Sequence, residues 1–281
     1  MIKRSKLVLC VILLLTSPTV LMAQDYQYHP VLSDNFTASI GYMRSSNAFK
    51  LESDIVGDPG DEIDFDESLD VSDHSNLFNG QLRWKFGSER KWSIAGQYFS
   101  NSANGDAVLE EDIEWDGLTF GAGTFVESQV KLAVTRIFVG RSFFKNDQND
   151  FGLGIGLHNL DMSAYIEGEV IVDGETLEGV QRADVDANQP LPNIGGWYNY
   201  SPAKNWLLHA RVDWISANIG DYDGGLWNTN IGVGYLLWRH VSIDLSWQYF
   251  HLNLNVSDEG DWVGGAEMTY SGPVASLIFT W

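Results

Sequence analysis

Apolar and polar side chains alternate one by one through several stretches of about ten residues, and this period of two constrains the fold more than any other feature. The clearest case is residues 77–86, whose even-numbered positions are mostly apolar and whose odd-numbered positions from 79 onward are polar: Phe78, Leu82, Trp84 and Phe86 against Asn79, Gln81, Arg83 and Lys85. A β-strand sends successive side chains to opposite faces of its sheet. The alternation therefore predicts strands with one apolar and one polar face.

Turn-forming residues divide the chain into ten such runs. Their predicted bounds are 35–44, 77–86, 91–101, within 129–144, from 151, 191–200, 206–217, 226–237, 241–253 and 272–281. Runs of about 9–11 residues have the length of a tilted strand that crosses a bilayer. The connections alternate long and short through the first half, as in barrels with long outer loops and short periplasmic turns. Eight or twelve strands stay open, because the segments around 104–125 and 164–188 either protrude as sheet or add a pair.

The aromatic content supports a membrane location for these strands. Beyond the N-terminal segment there is no apolar run of about 18 residues, so the sequence offers no transmembrane helix. Yet the chain has 11 Trp, 11 Tyr and 14 Phe at a formal net charge of −21. A closed barrel reconciles the two observations, since its strands cross a bilayer without a long apolar run and place aromatic residues at both interfaces. A soluble β-sandwich also alternates, but it would expose many Lys and Glu opposite its apolar face.

The N-terminal residues are typical of export. Lys3, Arg4 and Lys6 precede the short apolar run Leu7–Leu15, and Ala23 suits a cleavage site. This pattern predicts a signal peptide over residues 1–23 and a mature domain over residues 24–281. Loss of the three cations takes the formal charge from −21 to −24. A surface this acidic argues against nucleic acid as a partner, because phosphate binding needs positive charge.

The last residues carry a resemblance to a known class. From Ala275 the side chains alternate to the end of the chain, with Ala275, Leu277, Phe279 and Trp281 on one face and Ser276, Ile278 and Thr280 on the other. This ending resembles the closing strand of bacterial outer-membrane β-barrels, where a terminal Phe or Trp is the assembly signal. The resemblance implies the outer membrane of a Gram-negative bacterium, the outer-membrane assembly machinery, and contact with outer-membrane lipid and lipopolysaccharide. The predicted fold is an all-β, antiparallel, up-and-down transmembrane barrel of ten strands.

The polar faces of these strands would surround an enclosed lumen. Six of their titratable or charged residues are the candidate ligand or lumen residues: Arg83, Lys85, His209, Arg211, Asp213 and Asp244. Opposite charges inside a narrow barrel must pair, because an unpaired buried charge is costly. Small barrels are usually just filled by their side chains. We therefore expect a packed polar plug, with a narrow conduit or small-ligand site as the alternative.

Two inner-face patterns carry further expectations. In the fourth strand Val130, Leu132 and Val134 are predicted to face outward, and Arg136 on the same face then implies a bulge or a shifted membrane boundary. The alternating glycines from Gly152 to Gly156 lack the spacing of a nucleotide-binding loop. Their predicted role is steric, leaving room for long side chains opposite, such as Arg83 or Arg211.

The strongest local charge bias lies in the predicted outer loops. Residues 52–73 contain ten carboxylates, Asp58 and Asp61 among them, and no Lys or Arg; residues 106–116 contain six more. Oxygen-rich clusters suit Ca²⁺ or Mg²⁺, but this spacing matches no calcium-binding loop. The expected role is a solvated surface whose charge keeps exposed hairpins from pairing with other strands. Divalent cations that bridge these loops to lipopolysaccharide are the alternative.

No catalytic constellation stands out. Outer-membrane lipid A deacylases carry H-x-S followed by Asn on a strand near the outer leaflet. His240-Val241-Ser242 is the one H-x-S here, but Ile243 replaces the Asn and the position is a predicted periplasmic turn. The paired Asp–Asp and Asp–His residues of outer-membrane aspartyl-type proteases have no counterpart. We expect a non-enzymatic barrel without cofactors, serving surface structure, binding or limited permeation of small solutes. The alternative is a lipid-active enzyme at the outer rim, with His251 as its first candidate.

Overall fold

The computed structural model describes residues 27–52, 62–172, 175–176, 179–219, 222–256 and 264–281. The predicted signal peptide, Asp58 and Asp61 lie outside these residues. Ten long strands dominate the fold: β1 (Phe36–Glu52), β3 (His74–Phe86), β4 (Trp92–Val108), β7 (Phe125–Lys145), β8 (Asn149–Gly168), β11 (Gln181–Ala203), β12 (Trp206–Ile219), β13 (Tyr222–Trp238), β14 (Val241–Val256) and β15 (Gly264–Thr280). In the described part of the chain, no helix is long and apolar enough to cross a membrane.

Each long strand pairs antiparallel with the next, and the last closes on the first. The closing register runs from Thr37 opposite Thr280 to Leu51 opposite Ala266, so the ten-strand prediction is confirmed. The shorter elements are β2 (Glu62–Asp64), β5 (Ile113–Trp115), β6 (Leu118–Phe120), β9 (Val170–Val172), β10 (Glu175–Thr176), α1 (Pro30–Ser33), α2 (Phe65–Leu69) and a 3₁₀ turn (Ser88–Arg90). Strands β5, β6, β9 and β10 form a separate four-stranded sheet from the two segments that the sequence left open.

The four tight turns lie at the end of the barrel that also carries α1 and Trp281. They connect β3 to β4, β7 to β8, β11 to β12, and β13 to β14. An Asn side chain stabilises the turn between β7 and β8. Asn146 Oδ1 accepts hydrogen bonds from the backbone N–H groups of Gln148 and Asn149 at 2.9 and 2.8 Å. The opposite end carries the longer loops, as the sequence predicts for the outside of the cell, except that only residues 220–221 connect β12 to β13 there.

The strands are much longer than a bilayer requires. They run from 13 residues in β3 to 23 in β11, against the roughly 9–11 that a spanning strand needs. At about 3.3 Å per residue, the 20 residues of β8 extend for about 65 Å. The bounds predicted from the sequence therefore cover mainly the lower, periplasmic part of a barrel that continues well beyond the membrane.

The outer surface changes character along each strand. On β8, Phe151, Leu153, Ile155 and Leu157 face outward and are exposed, and the next residues on that face are Asn159, Asp161 and Ser163. Phe36 stacks between Trp84 and Trp281 at the lower edge of the apolar belt, with ring centroids 6.1 and 5.8 Å apart. Trp214, Trp227 and Tyr249 mark its upper edge. An apolar band flanked by two aromatic girdles is the surface that a bilayer covers.

The interior changes in the opposite sense. Inward residues of the lower half are polar, but on β8 the inward face continues from His158 into Leu160, Met162, Ala164 and Ile166. These side chains belong to one apolar core that fills the extracellular half of the barrel. The inward positions of the strand stay inward along its whole length. Where the barrel leaves the membrane, however, the inward side chains become apolar and the outward side chains become polar. Outside lipid, an apolar interior and a polar surface are the stable arrangement.

This exchange corrects the prediction for the fourth strand, which is β7. Val130, Leu132 and Val134 point inward into the apolar core, and Arg136 lies on the same inward face. The outward prediction for the three apolar residues is therefore wrong. No bulge interrupts the pairing near Arg136; the register shift in β7 comes later, between Ser142 and Phe144. The other expectation, a shifted membrane boundary, describes β7 well, since its lipid-facing residues begin at Ile137.

Candidate functional site

The lumen of the lower half brings the predicted polar residues together. Lys85, Asp213 and Asp244 are buried there, and Arg83, His209 and Arg211 line a cavity of about 130 Å³. The structure thus places all six on inward faces, as the alternation predicts. Whether any of them binds a ligand stays a prediction.

The lumen charges form short ion pairs. Arg136 Nη2 donates to Asp213 Oδ1 at 2.6 Å, and Arg211 Nε lies 3.5 Å from Asp213 Oδ2. Lys85 Nζ lies 3.3 Å from Asp150 Oδ2. Asp213 thus faces two guanidinium groups inside the low-dielectric barrel, where opposite charges attract strongly.

Two of these residues were not among the predicted lumen residues. Arg136 was placed on the predicted outward face of the fourth strand, and Asp150 fell between the fourth and fifth predicted strands. Their positions in the strand repeat could have revealed them. Arg136 is an even number of positions from Gly140 and Ser142 of β7 and therefore shares their inward face. Asp150 shares the inward face of the β8 glycines for the same reason.

The remaining lumen pair is formed by two predicted residues, His209 and Asp244. His209 Nε2 lies 2.8 Å from Asp244 Oδ1. Gly232, opposite His209 on β13, makes room for the ring, since a side chain there would meet the imidazole. The alternation identified both partners, because each occupies an inward position, His209 on β12 and Asp244 on β14, on either side of β13.

The alternating glycines make space, as predicted, but for aromatic side chains. A Cβ atom at Gly140 or Gly152 would collide with the Trp197 ring, and one at Gly154 or Gly156 would collide with Phe138. The expectation that Arg83 or Arg211 fills this space is therefore wrong. Trp197 Nε1 donates to Asp150 Oδ1 at 3.3 Å, and the Arg136 guanidinium lies 4.2 Å from the centre of the Phe138 ring. The glycines thus position the aromatic residues that in turn hold the buried charges.

The N-terminal helix α1 closes the periplasmic mouth. Lys85 Nζ donates to the carbonyls of Val31 and Leu32 at 2.6 and 3.3 Å. Val31 packs with Leu207 and Ile278 inside the barrel. One lumen lysine therefore both pairs with a carboxylate and anchors the segment that covers the lumen.

Ser242 of the H-x-S motif also contacts this segment. Its hydroxyl lies 3.0 Å from His29 Nε2, and His29 Nδ1 accepts the Val31 backbone N–H at 3.3 Å. Since Nδ1 is the acceptor, the neutral ring carries its proton on Nε2 and donates to Ser242. His29 is therefore placed to hold Ser242 in position and not to take its proton.

The apolar core closes the extracellular mouth. Phe65 and Leu69 of α2, together with Trp115 and Phe120, are 0% exposed. The Phe65 and Trp115 rings meet edge to face with centroids 5.6 Å apart. Between this core and α1 lies the polar cavity, so an apolar core fills the upper half of the barrel while the polar lower half keeps a cavity of about 130 Å³. The packed polar plug expected from the sequence stays a prediction.

The extracellular carboxylates surround the same cap. Asp64 accepts the Glu67 backbone N–H at 3.4 Å as the N-cap of α2, and Lys50 lies 3.6 Å from both Glu62 and Asp64. Partial burial, assisted by the neighbouring Asp64, raises the pKa of Asp66 to about 6. Within the described ranges, no three His, Cys, Asp or Glu side chains converge closely enough to hold a metal ion. The divalent cations expected at these loops stay a prediction.

His251 lies on the outward face at the upper edge of the lipid belt, with Asn253 on the same face as predicted. Its Nδ1 atom is 3.0 Å from Thr269 Oγ1, and its ring stacks beside Tyr249. Sequence spacing could not reveal this hydroxyl, because Thr269 lies on the neighbouring strand β15, opposite His251. Among the residues that the structure describes, no carboxylate is hydrogen-bonded to His251.

Solved structures with a similar fold are bacterial outer-membrane proteins. The outer-membrane protease OmpT of Escherichia coli has a TM-score of 0.59 at 13% identity, over 92% of this chain and 100% of that chain. The toluene transporter TodX of Pseudomonas putida has a TM-score of 0.38 at 8% identity, over 88% and 89%. Ail, the attachment invasion locus protein of Yersinia pestis, has 0.30 at 12%, over 86% and 98%. No family model and no curated protein matches the sequence.

The closed ten-strand barrel, its lipid-sized apolar belt and the fold it shares with OmpT define the class. The chain is a bacterial outer-membrane β-barrel protein, located in the outer membrane of a Gram-negative cell. At 13% identity the similarity to OmpT is one of fold, and it extends over nearly the whole of both chains.

Proposed function

We propose that the protein is a non-enzymatic, non-conducting barrel that presents a rigid acidic surface outside the cell. The observation that carries this proposal is the sealed apolar core beyond the membrane. It converts the upper half of the barrel into a firmly packed platform. A channel or a transporter would need an open path at this level, and the buried apolar side chains of the described residues support the proposal that there is none.

Charge supports binding as the role of this platform. Four exposed carboxylates lie at the extracellular end of β4, in the loop that follows and on β5: Asp106, Glu110, Glu111 and Glu114. Exposed carboxylates of one sign create a field that attracts cations and cationic partners and raises their association rate. We propose cationic peptides or cationic protein segments as the class of partner, with divalent cations as competitors.

The lower edge of the platform suits lipopolysaccharide. Arg44 and Lys131 face outward just above the lipid belt, and Asp161 is exposed at a similar level of β8. Arginine and lysine bind phosphate groups directly, whereas a carboxylate would need a bridging divalent cation. Contact with lipopolysaccharide through these residues is part of the proposal, as is insertion by the outer-membrane assembly machinery.

Deleting residues 51–73 would not test the surface role, because Leu51, Ile63, Phe65, Leu69 and Val71 belong to the apolar core. Charge removal is cleaner. We expect the variant that combines Asp106→Asn, Glu110→Gln, Glu111→Gln and Glu114→Gln to bind an oligolysine peptide several-fold more weakly at physiological salt. Its fold should be unchanged, because these side chains are exposed. Binding to barrels in lipid vesicles, followed by fluorescence anisotropy, measures the effect.

The matched control is Asp147→Asn, which removes an exposed carboxylate at the periplasmic end. It should leave oligolysine binding unchanged for barrels oriented with the platform outward. Equal binding by all three proteins would refute the surface role. Stepwise single-channel conductance of the wild-type barrel in planar bilayers would refute the non-conducting role.

A second candidate is a lipid-active enzyme at the outer rim. The contact between His251 and the Thr269 hydroxyl favours it, since an imidazole beside a hydroxyl is the core of an acyl-transfer site. The absence of an orienting carboxylate among the described residues weighs against it. An altered lipid profile in cells producing the wild type but not His251→Ala, measured by mass spectrometry, would establish this function instead.

A further inference from the structure

The polar cavity in the lower half of the barrel is a compartment separate from the proposed binding surface. It has a volume of about 130 Å³ and lies between helix α1 below and the apolar core above. Two guanidinium groups, those of Arg83 and Arg211, line it together with amide side chains such as Asn79, Gln81 and Asn230. These groups are strong hydrogen-bond donors that face one small cavity.

The charges around this lumen do not balance. The strand residues that carry charge inward in the described ranges are four cations and three carboxylates: Arg83, Lys85, Arg136 and Arg211 against Asp150, Asp213 and Asp244. Asp34 lies at the periplasmic mouth, 3.9 Å from His240, and does not line the cavity. With the histidines neutral, one positive charge is left without a counter-charge.

The unbalanced charge belongs to the side of the cavity where Arg83 lies. Asp150 pairs with Lys85, and Arg136 holds Asp213 at 2.6 Å. Arg83 has no ion pair within 4 Å among the described residues, and its Nε atom is buried without a hydrogen-bond partner. The Nε atom of Arg211 also lacks a hydrogen bond there, although it lies 3.5 Å from Asp213.

One carboxylate does line the cavity, but it is already engaged. Asp244 Oδ1 lies 2.8 Å from His209 Nε2. A protonated His209 would cancel Asp244 and raise the positive excess of the lumen further. In either protonation state of His209, Arg83 keeps a charge that no described side chain neutralises at ion-pair distance.

We infer that the cavity binds one small inorganic monoanion, of halide size, between Arg83 and Arg211. A buried charge without a counter-ion is costly, and guanidinium groups offer only donors, so an anion satisfies both requirements. About 10–15 Å³ of such volume holds one water, so the cavity accommodates an anion with several waters.

The experiment refolds the protein from urea into detergent micelles in sodium bromide or in sodium gluconate at equal ionic strength. Gluconate is too large for the cavity beside its waters, so it serves as the non-binding anion. We expect the wild-type Tm to rise by several °C with bromide concentration, since a ligand that binds only the folded state stabilises it by mass action. Arg83→Gln should lose this dependence and, in gluconate, should melt above the wild type because it no longer buries an unpaired charge.

Arg182→Gln is the matched control, since Arg182 is exposed and contacts Tyr165 far above the cavity; it should keep the wild-type bromide dependence. Crystals of the wild type grown in bromide give a second measurement that does not need a variant. An anomalous peak within about 3.5 Å of the Arg83 guanidinium is expected. Equal Tm values in the two salts, the same bromide dependence in Arg83→Gln, or a cavity that contains water only would overturn the inference.

Discussion

Replacing Asp213 by alanine is expected to lower the free energy of unfolding by about 3–5 kcal/mol, which is the usual cost of breaking a buried ion pair from one side. Asp213 is 0% exposed and faces both Arg136 and Arg211. Without it, two guanidinium groups confront each other in the closed lumen with no counter-charge between them. Urea unfolding in detergent micelles, followed by the loss of β-sheet circular dichroism, measures the change.

A double-mutant cycle separates this effect from a general loss of packing. Arg136→Ala combined with Asp213→Ala should cost clearly less than the sum of the two single substitutions, because residues that share one interaction are not additive. The exposed Asp184 on β11 provides the control, and Asp184→Ala should change the stability by about 0.5 kcal/mol or less. Additive losses would mean that the ion pair does not hold the lumen together.

Trp115→Ala, at the extracellular end of the molecule, is also expected to lower the free energy of unfolding by about 3–5 kcal/mol. Trp115 is 0% exposed in the extracellular core and packs edge to face against Phe65. Its loss leaves a cavity under α2, where the closed cap depends on a few large side chains. We expect the loops of the cap to open and become sensitive to protease, while the strands inside the membrane stay intact.

Proteinase K digestion of intact cells, followed by mass spectrometry of the fragments, measures this opening. New cuts should fall within residues 109–124 in Trp115→Ala. Trp214→Ala removes an exposed tryptophan of the upper girdle and should leave the digestion pattern unchanged. If Trp115→Ala is as resistant as the wild type, the apolar core does not keep the platform closed.

The strand pattern was predictable wherever a strand crosses lipid. Residues 77–86 alternate cleanly because one face meets apolar lipid and the other meets a polar lumen. Above the membrane the alternation continues in phase, but the apolar side chains move to the inside. A search for one constant apolar outer face therefore ends each strand at the interface, and it misassigned Val130, Leu132 and Val134. A sequence does not state on which side of a strand the solvent lies.

The candidate site was predictable only as a set of inward residues. Alternation placed Arg83, Arg211 and Asp213 in the lumen, since strand parity fixes the face of every residue. It could not find the partners, because a pair such as Arg136 and Asp213 joins β7 to β12 through the interior. The excess positive charge around Arg83 likewise depends on which carboxylates lie within ion-pair distance of which cations. The surface contact of His251 with Thr269 joins two strands and was invisible for the same reason.

The exchange of faces at the membrane boundary can be tested on a single strand. Ile155 and Asp161 share the outward face of β8, about 20 Å apart along the strand. The chain has one cysteine, Cys10, so a fluorescent label on Ile155→Cys or Asp161→Cys in protein spanning residues 24–281 reports one position. We predict that brominated lipid quenches the label at position 155 and that aqueous iodide quenches the label at position 161. Iodide quenching at position 155, or lipid quenching at position 161, would contradict the arrangement on which the sealed platform depends.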